Sequence, residues 1–245
     1  MKVIKSLIPF VLMLSMSPLT SAQEFTVGVE DLDYFPLYAY KDGAYKGLSR
    51  EILDKFAEKK GHKFKYKPFP VIRLTSYFVE GKVDLKFPDN AFWASDVKKG
   101  KDVKYSGPVV EYTDGVMVLP GKVNLGVEKL LKLGIVRGFT PWDYMGLLKS
   151  GAVTSKEASS LQSLIQQTLH GRVDGAYFNV QVASYYLKNE LKQPGSLVFD
   201  DSLPHTTSTY TLSSIEHPGL IEEFSQFLID EAGWVTDVTR KYLGQ

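Results

Sequence analysis

Short hydrophobic runs alternate with amphipathic helical stretches over most of the chain. The pattern predicts strands at Phe25–Glu30, Lys63–Phe69, Val83–Phe87, Lys104–Val110, Gly115–Leu119, Leu133–Arg137, Val173–Phe178, Leu197–Phe199 and Thr209–Leu212. It predicts helices from Ser49, as the N-cap, to Gly61, from Val71 to Gly81, near 141–150, 158–170 and 180–191, and from Pro218 onward. Strand–helix alternation is typical of an α/β fold with largely parallel sheets.

The first 22 residues have the pattern of a secretory signal peptide. Lys2 and Lys5 precede the apolar stretch 7–14, which is too short to span a bilayer, and residues 20–22 (TSA) supply the small residues of a cleavage site after Ala22. No later stretch is apolar enough to span a membrane, and no cysteine follows the cleavage site to carry a lipid. We therefore expect an exported, periplasmic protein.

One short pattern occurs twice. Residues 78–87 read FVEGKVDLKF and residues 168–177 read TLHGRVDGAY, 90 residues apart. Each copy ends a helix at a glycine, adds one basic residue and enters a strand through Val-Asp. The alternative is coincidence around a common helix–Gly–strand joint. The repeat favours two lobes of similar construction with a ligand between their facing edges.

Composition excludes several classes of function. Lys and Arg total 29 against 28 Asp and Glu, for a formal net charge of +1, and removal of residues 1–22 makes it −1, which argues against a nucleic-acid-binding surface. The absence of cysteine excludes disulfides, thiolate catalysis and cysteine-ligated metals. Aromatic residues reach 13%, enough to supply a binding cleft as well as a core.

Five segments, in order, resemble the extracellular solute-binding proteins of family 3, the amino-acid-type binding components of bacterial ABC importers. They are TVGVEDLDYFPLYAYKDGAYKGLSREILDKFAEKKG, GKVD, VKYSGPVVEYTDGVMV, GIVRGFT and GRVDGAYFNVQVA. The resemblance implies an α/β, two-lobed type II periplasmic-binding-protein fold, in which each lobe is a mostly parallel sheet flanked by helices and two hinge strands join the lobes. It further implies that lobe 1 comprises 23–108 plus 208–245, lobe 2 comprises 113–203, and the hinges lie near 109–112 and 204–207.

The resemblance also indicates cleft residues in lobe 1. The family carries an acidic residue and a ligand-stacking aromatic after the first strand, and Asp31 and Tyr34 occupy those positions, with Phe35 adjacent. An aromatic face offers contact area and cation–π attraction at little entropic cost. Alternatively, Tyr34 and Phe35 only seal the loop.

The segment after GKVD departs from the family pattern. Residues 88–91 (PDNA) replace small hydroxylic residues, and only lysines follow where the family has an Arg that binds the ligand carboxylate: Lys98, Lys99 and Lys101. An ammonium does not reproduce the bidentate guanidinium contact. We expect Asp89, Asn90 and Trp93 to face the cleft.

In lobe 2, the sequence Arg137-Gly138-Phe139-Thr140 matches the family's Gly-Thr loop, whose backbone amides and hydroxyl meet the ligand carboxylate. Gly138 permits close backbone approach and Thr140 donates or accepts a hydrogen bond. Arg137, or Arg73 at the start of the helix after Pro70, is the candidate replacement for the missing Arg.

Asn179 stands where amino-acid binders carry the Asp that accepts from the ligand ammonium. An amide accepts a hydrogen bond but supplies no countercharge. Because both ends of the usual zwitterion site are altered, the sequence favours a ligand with one anionic group and an aromatic or apolar body.

The function expected is capture of a small polar, amino-acid-like or anionic ligand by a monomer that presents it to the membrane permease of an ABC importer. A membrane signalling receptor is the alternative partner. The four histidines lack metal-ligand spacing, and we expect no cofactor, no nucleic acid and no catalytic residue. A dehydratase-like enzyme on the same fold is the third alternative, with Asp89 or His205 as its candidate general acid.

Overall fold

The computed structural model describes residues 23–244, so the predicted signal peptide lies outside the described residues. The strands in this range are β1 (Glu24–Glu30), β2 (Asp33–Tyr34), β3 (Tyr38–Lys41), β4 (Ala44–Lys46), β5 (Lys63–Phe69), β6 (Leu85–Asp89), β7 (Lys104–Tyr105), β8 (Val110–Val118), β9 (Lys132–Val136), β10 (Thr154–Ala158), β11 (Gly175–Asn179), β12 (Val198–Phe199) and β13 (Thr206–Ser214).

The helices are α1 (Leu48–Lys60), α2 (Val71–Val79), α3 (Ser95–Lys98), α4 (Met145–Ser150), α5 (Leu161–Leu169), α6 (Val180–Asn189), α7 (Pro218–Asp230) and α8 (Ala232–Leu243). Short 3₁₀ turns occur at Pro120–Lys122, Val127–Lys129 and Trp142–Tyr144. Within the described residues, every helix is too short or too polar to cross a lipid bilayer.

The strands form two parallel groups joined by two long antiparallel strands. The order is β10-β9-β11-β8-β13-β6-β1-β5, with β1 parallel to β5 and β6, and β9 parallel to β10 and β11. In the middle, β8 and β13 run antiparallel, from the pair Thr206–Asp114 to the pair Tyr210–Val110. The α/β class predicted from the alternation is confirmed, and each parallel group is one lobe.

The repeated Val-Asp pattern forms the same joint in both lobes. The Asp84 N–H donates to the Thr26 carbonyl (3.0 Å) and the Asp84 carboxylate accepts from the Thr26 N–H (2.6 Å). The Asp174 N–H donates to the Lys132 carbonyl (2.8 Å) and its carboxylate accepts from the Lys132 N–H (2.9 Å). Each aspartate thus fixes the start of one strand against its parallel neighbour.

A glycine faces the helix at the equivalent place in each lobe. A methyl group at Gly28 would lie 2.8 Å from Leu74 Cδ1, and one at Gly134 would lie 2.4 Å from Leu164 Cδ1. Both leucines are buried on the helix that packs over the sheet, α2 in lobe 1 and α5 in lobe 2. The units β1–α2–β6 and β9–α5–β11 are therefore built alike.

The start of α1 differs from the prediction. Gly47 is the N-cap, with φ 100°, and Ser49 is buried within the first turn. The first helical amides are bound by backbone oxygens, because the Leu48 N–H donates to the Pro36 carbonyl (3.0 Å) and the Ser49 N–H to the Leu37 carbonyl (2.9 Å). The hairpin β2–β3–β4, which the hydrophobic pattern does not predict, supplies those carbonyls.

Several other boundaries differ: β8 begins at Val110 and not at Gly115, and β10 was not predicted. The predicted strand Lys104–Val110 is interrupted at residues 106–109, where the Ser106 and Val109 N–H groups donate to the Leu212 and Tyr210 carbonyls (2.9 Å each). The predicted strand Thr209–Leu212 is longer, from Thr206 to Ser214. Both ends of this strand are polar, so the hydrophobic pattern alone does not reveal its full length.

Candidate functional site

A cavity of about 180 Å³ lies between the two lobes. A cavity of about 150 Å³ is large enough for a benzene ring, so this one accommodates a ligand of about that size. Both lobes contribute to the lining, which comprises Glu30, Tyr34, Tyr38, Val71, Ile72, Leu74, Thr75, Lys86, Trp93, Ala94, Val97, Asp114, Gly138, Phe139, Thr140, Tyr177 and Tyr210.

Aromatic rings in mutual contact form one side of the cavity, which we call the aromatic wall: Tyr34, Tyr38, Tyr210, Tyr112 and Trp93. Ring centroids are 5.3 Å apart for Tyr34 and Tyr38, and 6.1 Å for Tyr38 and Tyr210. Tyr112 stacks on Tyr210 at 4.5 Å from behind, and Trp93 meets Tyr210 edge-on at 5.7 Å. Mutual packing fixes these rings, so little side-chain entropy remains for a ligand to remove.

Two carboxylates line the cavity. Glu30, the last residue of β1, is buried and accepts a hydrogen bond from the Tyr38 hydroxyl. Burial raises the pKa of Glu30 despite the opposing effects of that hydrogen bond and of Lys86. Burial, together with the negative charges of Glu30 and Asp143, raises the pKa of Asp114 on β8 from 3.8 to about 7.

One cationic side chain, Lys86, lines the cavity, and protein groups already bind its ammonium. The Lys86 Nζ lies 2.8 Å from Asp89 Oδ1 and 3.0 Å from the Pro88 carbonyl oxygen. Lys98 approaches the same carboxylate oxygen at 3.2 Å, and Ser213 Oγ donates to the other at 2.6 Å. Burial acts to raise the pKa of Asp89, but the two lysines outweigh it and lower that pKa.

Four of the residues proposed from the sequence line the cavity: Tyr34, Trp93, Gly138 and Thr140. The hairpin presents Tyr34, whose hydroxyl crosses to lobe 2 and accepts from the Asn179 N–H at 3.0 Å. Gly138 has φ +89°, and a methyl group there would lie 3.0 Å from the Ile72 backbone nitrogen. Glycine therefore lets the loop after β9 approach the start of α2.

Four other proposed residues lie outside the lining. Asp31 is exposed and its N–H donates to the Phe69 carbonyl (2.9 Å), while the Phe35 ring packs on Tyr185 at 5.1 Å. Arg73 is exposed on α2, and the exposed Arg137 pairs with Glu157 at 3.2 Å. Neither guanidinium lines the cavity.

The remaining three proposed residues lie behind the lining. Asp89 binds the two lysines, and the Asn90 Nδ2 donates to Ser208 Oγ at 3.0 Å. Asn179 is fully buried as the N-cap of α6, because its Oδ1 accepts from the Val182 N–H at 2.9 Å. These side chains hold the elements that present the cavity-lining residues.

Sequence reasoning missed several lining residues, including Glu30, Lys86, Asp114, Tyr177 and Tyr210. The sequence did indicate one of them, because Glu30 is the last residue of a parallel strand and α/β folds bind ligands at the carboxyl ends of such strands. Tyr177 precedes Asn179 by two residues and shares its face of the strand. Asp114 and Tyr210 lie on the paired strands β8 and β13, which a linear pattern does not align.

Contacts between the lobes surround the cavity. The rings of Tyr34 and Phe139 meet at 5.5 Å, and those of Phe92 and Trp142 at 5.9 Å. Tyr34 and Phe92 belong to lobe 1, and Phe139 and Trp142 to lobe 2. Both ring pairs therefore join the two lobes beside the cavity.

Solved structures share this architecture. The chain has the fold of the two-lobed periplasmic binding proteins. It is similar to an ABC uptake transporter substrate binding protein from Streptococcus pneumoniae with bound histidine, at a TM-score of 0.73 and 17% identity over 91% of this chain and 93% of that chain.

Two further structures are similar to it. The arginine-, lysine-, histidine-binding protein ArtJ from Geobacillus stearothermophilus has a TM-score of 0.72 and 20% identity, over 91% of this chain and 96% of that chain. An ancestral amino acid-binding protein described as a precursor of cyclohexadienyl dehydratase has a TM-score of 0.70 and 19% identity, over 90% of this chain and 95% of that chain. No protein-family model and no curated protein matches the chain.

Proposed function

We propose that this protein captures one small ligand in the cavity between its lobes and delivers it to the permease of an ABC importer. The observation that carries the proposal is a cavity of about 180 Å³ whose walls come from both lobes. Support comes from similar structures, which include an ABC uptake transporter substrate binding protein with bound histidine and an arginine-, lysine-, histidine-binding protein. Export through the peptide 1–22 to the periplasm, and action as a monomer, belong to the same proposal.

Closure of the lobes is the proposed mechanism. A ligand that contacts Tyr34 and Trp93 in lobe 1 and Thr140 and Tyr177 in lobe 2 stabilises the closed state over the open one. The membrane partner then distinguishes the closed shape from the open shape. We propose that the hinges lie near 109–112 and 204–207, at the ends of the paired strands β8 and β13.

We propose binding without chemical conversion. The two candidate general acids of a dehydratase-like enzyme do not line the cavity: Asp89 is bound by two lysines, and His205 is exposed with Nδ1 3.0 Å from the Leu203 carbonyl oxygen. A general acid must reach the reacting atoms within hydrogen-bond distance.

A calorimetric titration tests the capture. After thermal-shift screening of amino acids, amines and organic acids, we expect one bound ligand per chain. Trp93→Ala should weaken binding at least about tenfold, because it removes an aromatic face from the cavity. Trp234→Ala, a half-buried tryptophan on α8 outside the cavity, is the matched control and should change the Kd less than about twofold. Equal effects of the two substitutions contradict the proposed site.

A further inference from the structure

The charges that line the cavity are unbalanced. Glu30 and Asp114 both face it, and a third carboxylate, Asp143, lies behind Tyr177 and accepts from the Tyr177 hydroxyl (3.4 Å) and from Thr206 Oγ1 (2.6 Å). The one lysine in the lining is bound by Asp89 and the Pro88 carbonyl oxygen. The lining therefore carries more negative than positive charge.

Asp114 is a half-buried carboxylate of the lining that has no hydrogen-bond or ion-pair partner among residues 23–244. Burial and the negative charges of Glu30 and Asp143 raise its pKa. The other titratable groups facing it are the tyrosines of the cavity region: Tyr34, Tyr112, Tyr177 and Tyr210. A desolvated carboxylate next to other acids is favoured by a bound cation or proton.

The aromatic wall provides a second attraction for a cation. The faces of tyrosine and tryptophan rings carry negative potential and attract ammonium groups within about 6 Å of the ring centroid. Lys86 Nζ already lies 5.8 Å from the Trp93 ring centroid. Tyr34, Tyr38 and Tyr210 add further rings beside the two lining carboxylates.

A ligand carboxylate meets no guanidinium in the lining, although the loop Gly138–Thr140 could offer it hydrogen bonds. Arg73 and Arg137, the guanidinium groups favoured by the sequence, both lie outside it. Lys86 is bound by a buried carboxylate, and Glu30 is a further acid near it. An anionic ligand would thus meet two acids and no available guanidinium.

We propose that the cavity selects a small organic cation, an amine or ammonium compound without a carboxylate, whose charge lies between Asp114 and the aromatic wall. The inference rests on the proposed function, because it assigns a ligand class to the same cavity. The cavity volume limits the body of the ligand to about the size of one aromatic ring.

Matched compounds that share a side chain and differ in their charged groups test this inference. Three series each comprise an amino acid, its decarboxylated amine and its deaminated acid: phenylalanine, 2-phenylethylamine and 3-phenylpropionate; norvaline, butylamine and pentanoate; arginine, agmatine and 5-guanidinopentanoate. Calorimetry at pH 8 should show the amine binding at least about tenfold tighter than its parent amino acid in every series that binds. The deaminated acids without a cation, 3-phenylpropionate and pentanoate, should not bind, and 5-guanidinopentanoate should bind more weakly than agmatine.

The outcomes separate the two proposals. Tighter binding of an amino acid or of a deaminated acid overturns the cation inference and leaves capture in the cavity supported. Failure of all nine compounds and of the wider screen to bind contradicts both proposals.

Substitution of Asp114 locates the cation. Asp114→Asn, which keeps the shape and removes the charge, should weaken amine binding at least about thirtyfold, whereas Asp114→Glu should retain most of it. Asp201→Asn, an exposed aspartate elsewhere in lobe 2, is the matched control and should bind like the unmodified protein. Undiminished amine binding by Asp114→Asn, with a cooperative urea unfolding transition that shows it is folded, overturns the assignment.

Discussion

At the scale of single residues, the ionised carboxylate of Asp114 opposes folding. Its carboxyl has a pKa of about 7 in the folded chain against 3.8 in its ordinary state, so the folded state favours the protonated form. The free energy of unfolding therefore falls as the pH rises from about 4 to 7. A bound cation reverses this effect by favouring the ionised form.

We predict that Asp114→Asn stabilises the unliganded protein at pH 8, by on the order of 3 kcal/mol, because it removes a buried charge. At pH 4 the carboxyl of the unmodified protein is protonated and the gain should nearly vanish. Urea unfolding at the two pH values measures this, with Asp201→Asn as the control. Equal stabilisation at both pH values would show that charge is not the cause.

Because of the raised pKa of Asp114, we expect the affinity for an amine to depend on pH. An amine that needs ionised Asp114 should bind about tenfold more weakly at pH 6 than at pH 8, because a carboxyl with a pKa of about 7 is mostly protonated at pH 6. Calorimetry in two buffers of different ionisation enthalpy should detect proton release on binding near pH 7. Affinity that is constant from pH 6 to pH 8 contradicts this coupling.

The sequence indicates the position of Asn179 near the cleft, but it does not indicate that its side chain caps α6. It caps α6, so Asn179→Ala should lower the free energy of unfolding by about 1 kcal/mol, and Asn179→Ser, which keeps a capping oxygen without burying a charge, should lower it less. Chemical denaturation checks both variants. Equal losses would mean that the cap is not the stabilising interaction.

The candidate site was predictable from sequence only in part. Tyr34, Trp93, Gly138 and Thr140 line the cavity because loops at strand ends present them there. Arg73 and Arg137 are on the right elements, but their exposed side chains lie outside the lining. Sequence position specifies the element, whereas the direction of a long side chain depends on neighbours such as Glu157.

At the scale of elements, the repeated joint is the best test of how the two lobes are built. Asp84→Ala and Asp174→Ala each remove the acceptor of a backbone N–H, so each should lower the free energy of unfolding by about 1–2 kcal/mol. The sites share no partner, so the double variant should show the sum of the two losses. Urea denaturation of the three variants measures this, and a double variant far from additive would contradict independent joints.

Long amphipathic elements could be read from the sequence and short polar ones could not. The helix ending at Gly61 and the strand β5 follow from hydrophobic periodicity and a glycine stop. The hairpin β2–β3–β4 has strands of two to four residues, too few to show a period. Carbonyl groups of this hairpin bind the first amides of α1. The helix therefore needs no side-chain cap, and the prediction of Ser49 as the N-cap is wrong.

At the scale of the whole molecule, the two-lobed architecture follows from the repeat and from the resemblance to solute-binding proteins. The lobe boundaries near 109–112 and 204–207 remain a prediction. The cavity could not be deduced in the same way, because it brings together residues from Glu30 to Tyr210 on many elements. The charge of the ligand that the cavity prefers is set by these residues together, so no single sequence motif indicates it.

The central claim is that a ligand bound in the cavity closes the two lobes, and a distance between the lobes tests it most directly. The chain contains no cysteine, so Lys60→Cys on α1 and Lys149→Cys on α4 give one spin-label site in each lobe. We predict that saturation with 2-phenylethylamine, or with the compound of the three series that binds most tightly, shortens and narrows the distance distribution measured by pulsed electron resonance. An unchanged distribution at saturating ligand would contradict capture by lobe closure.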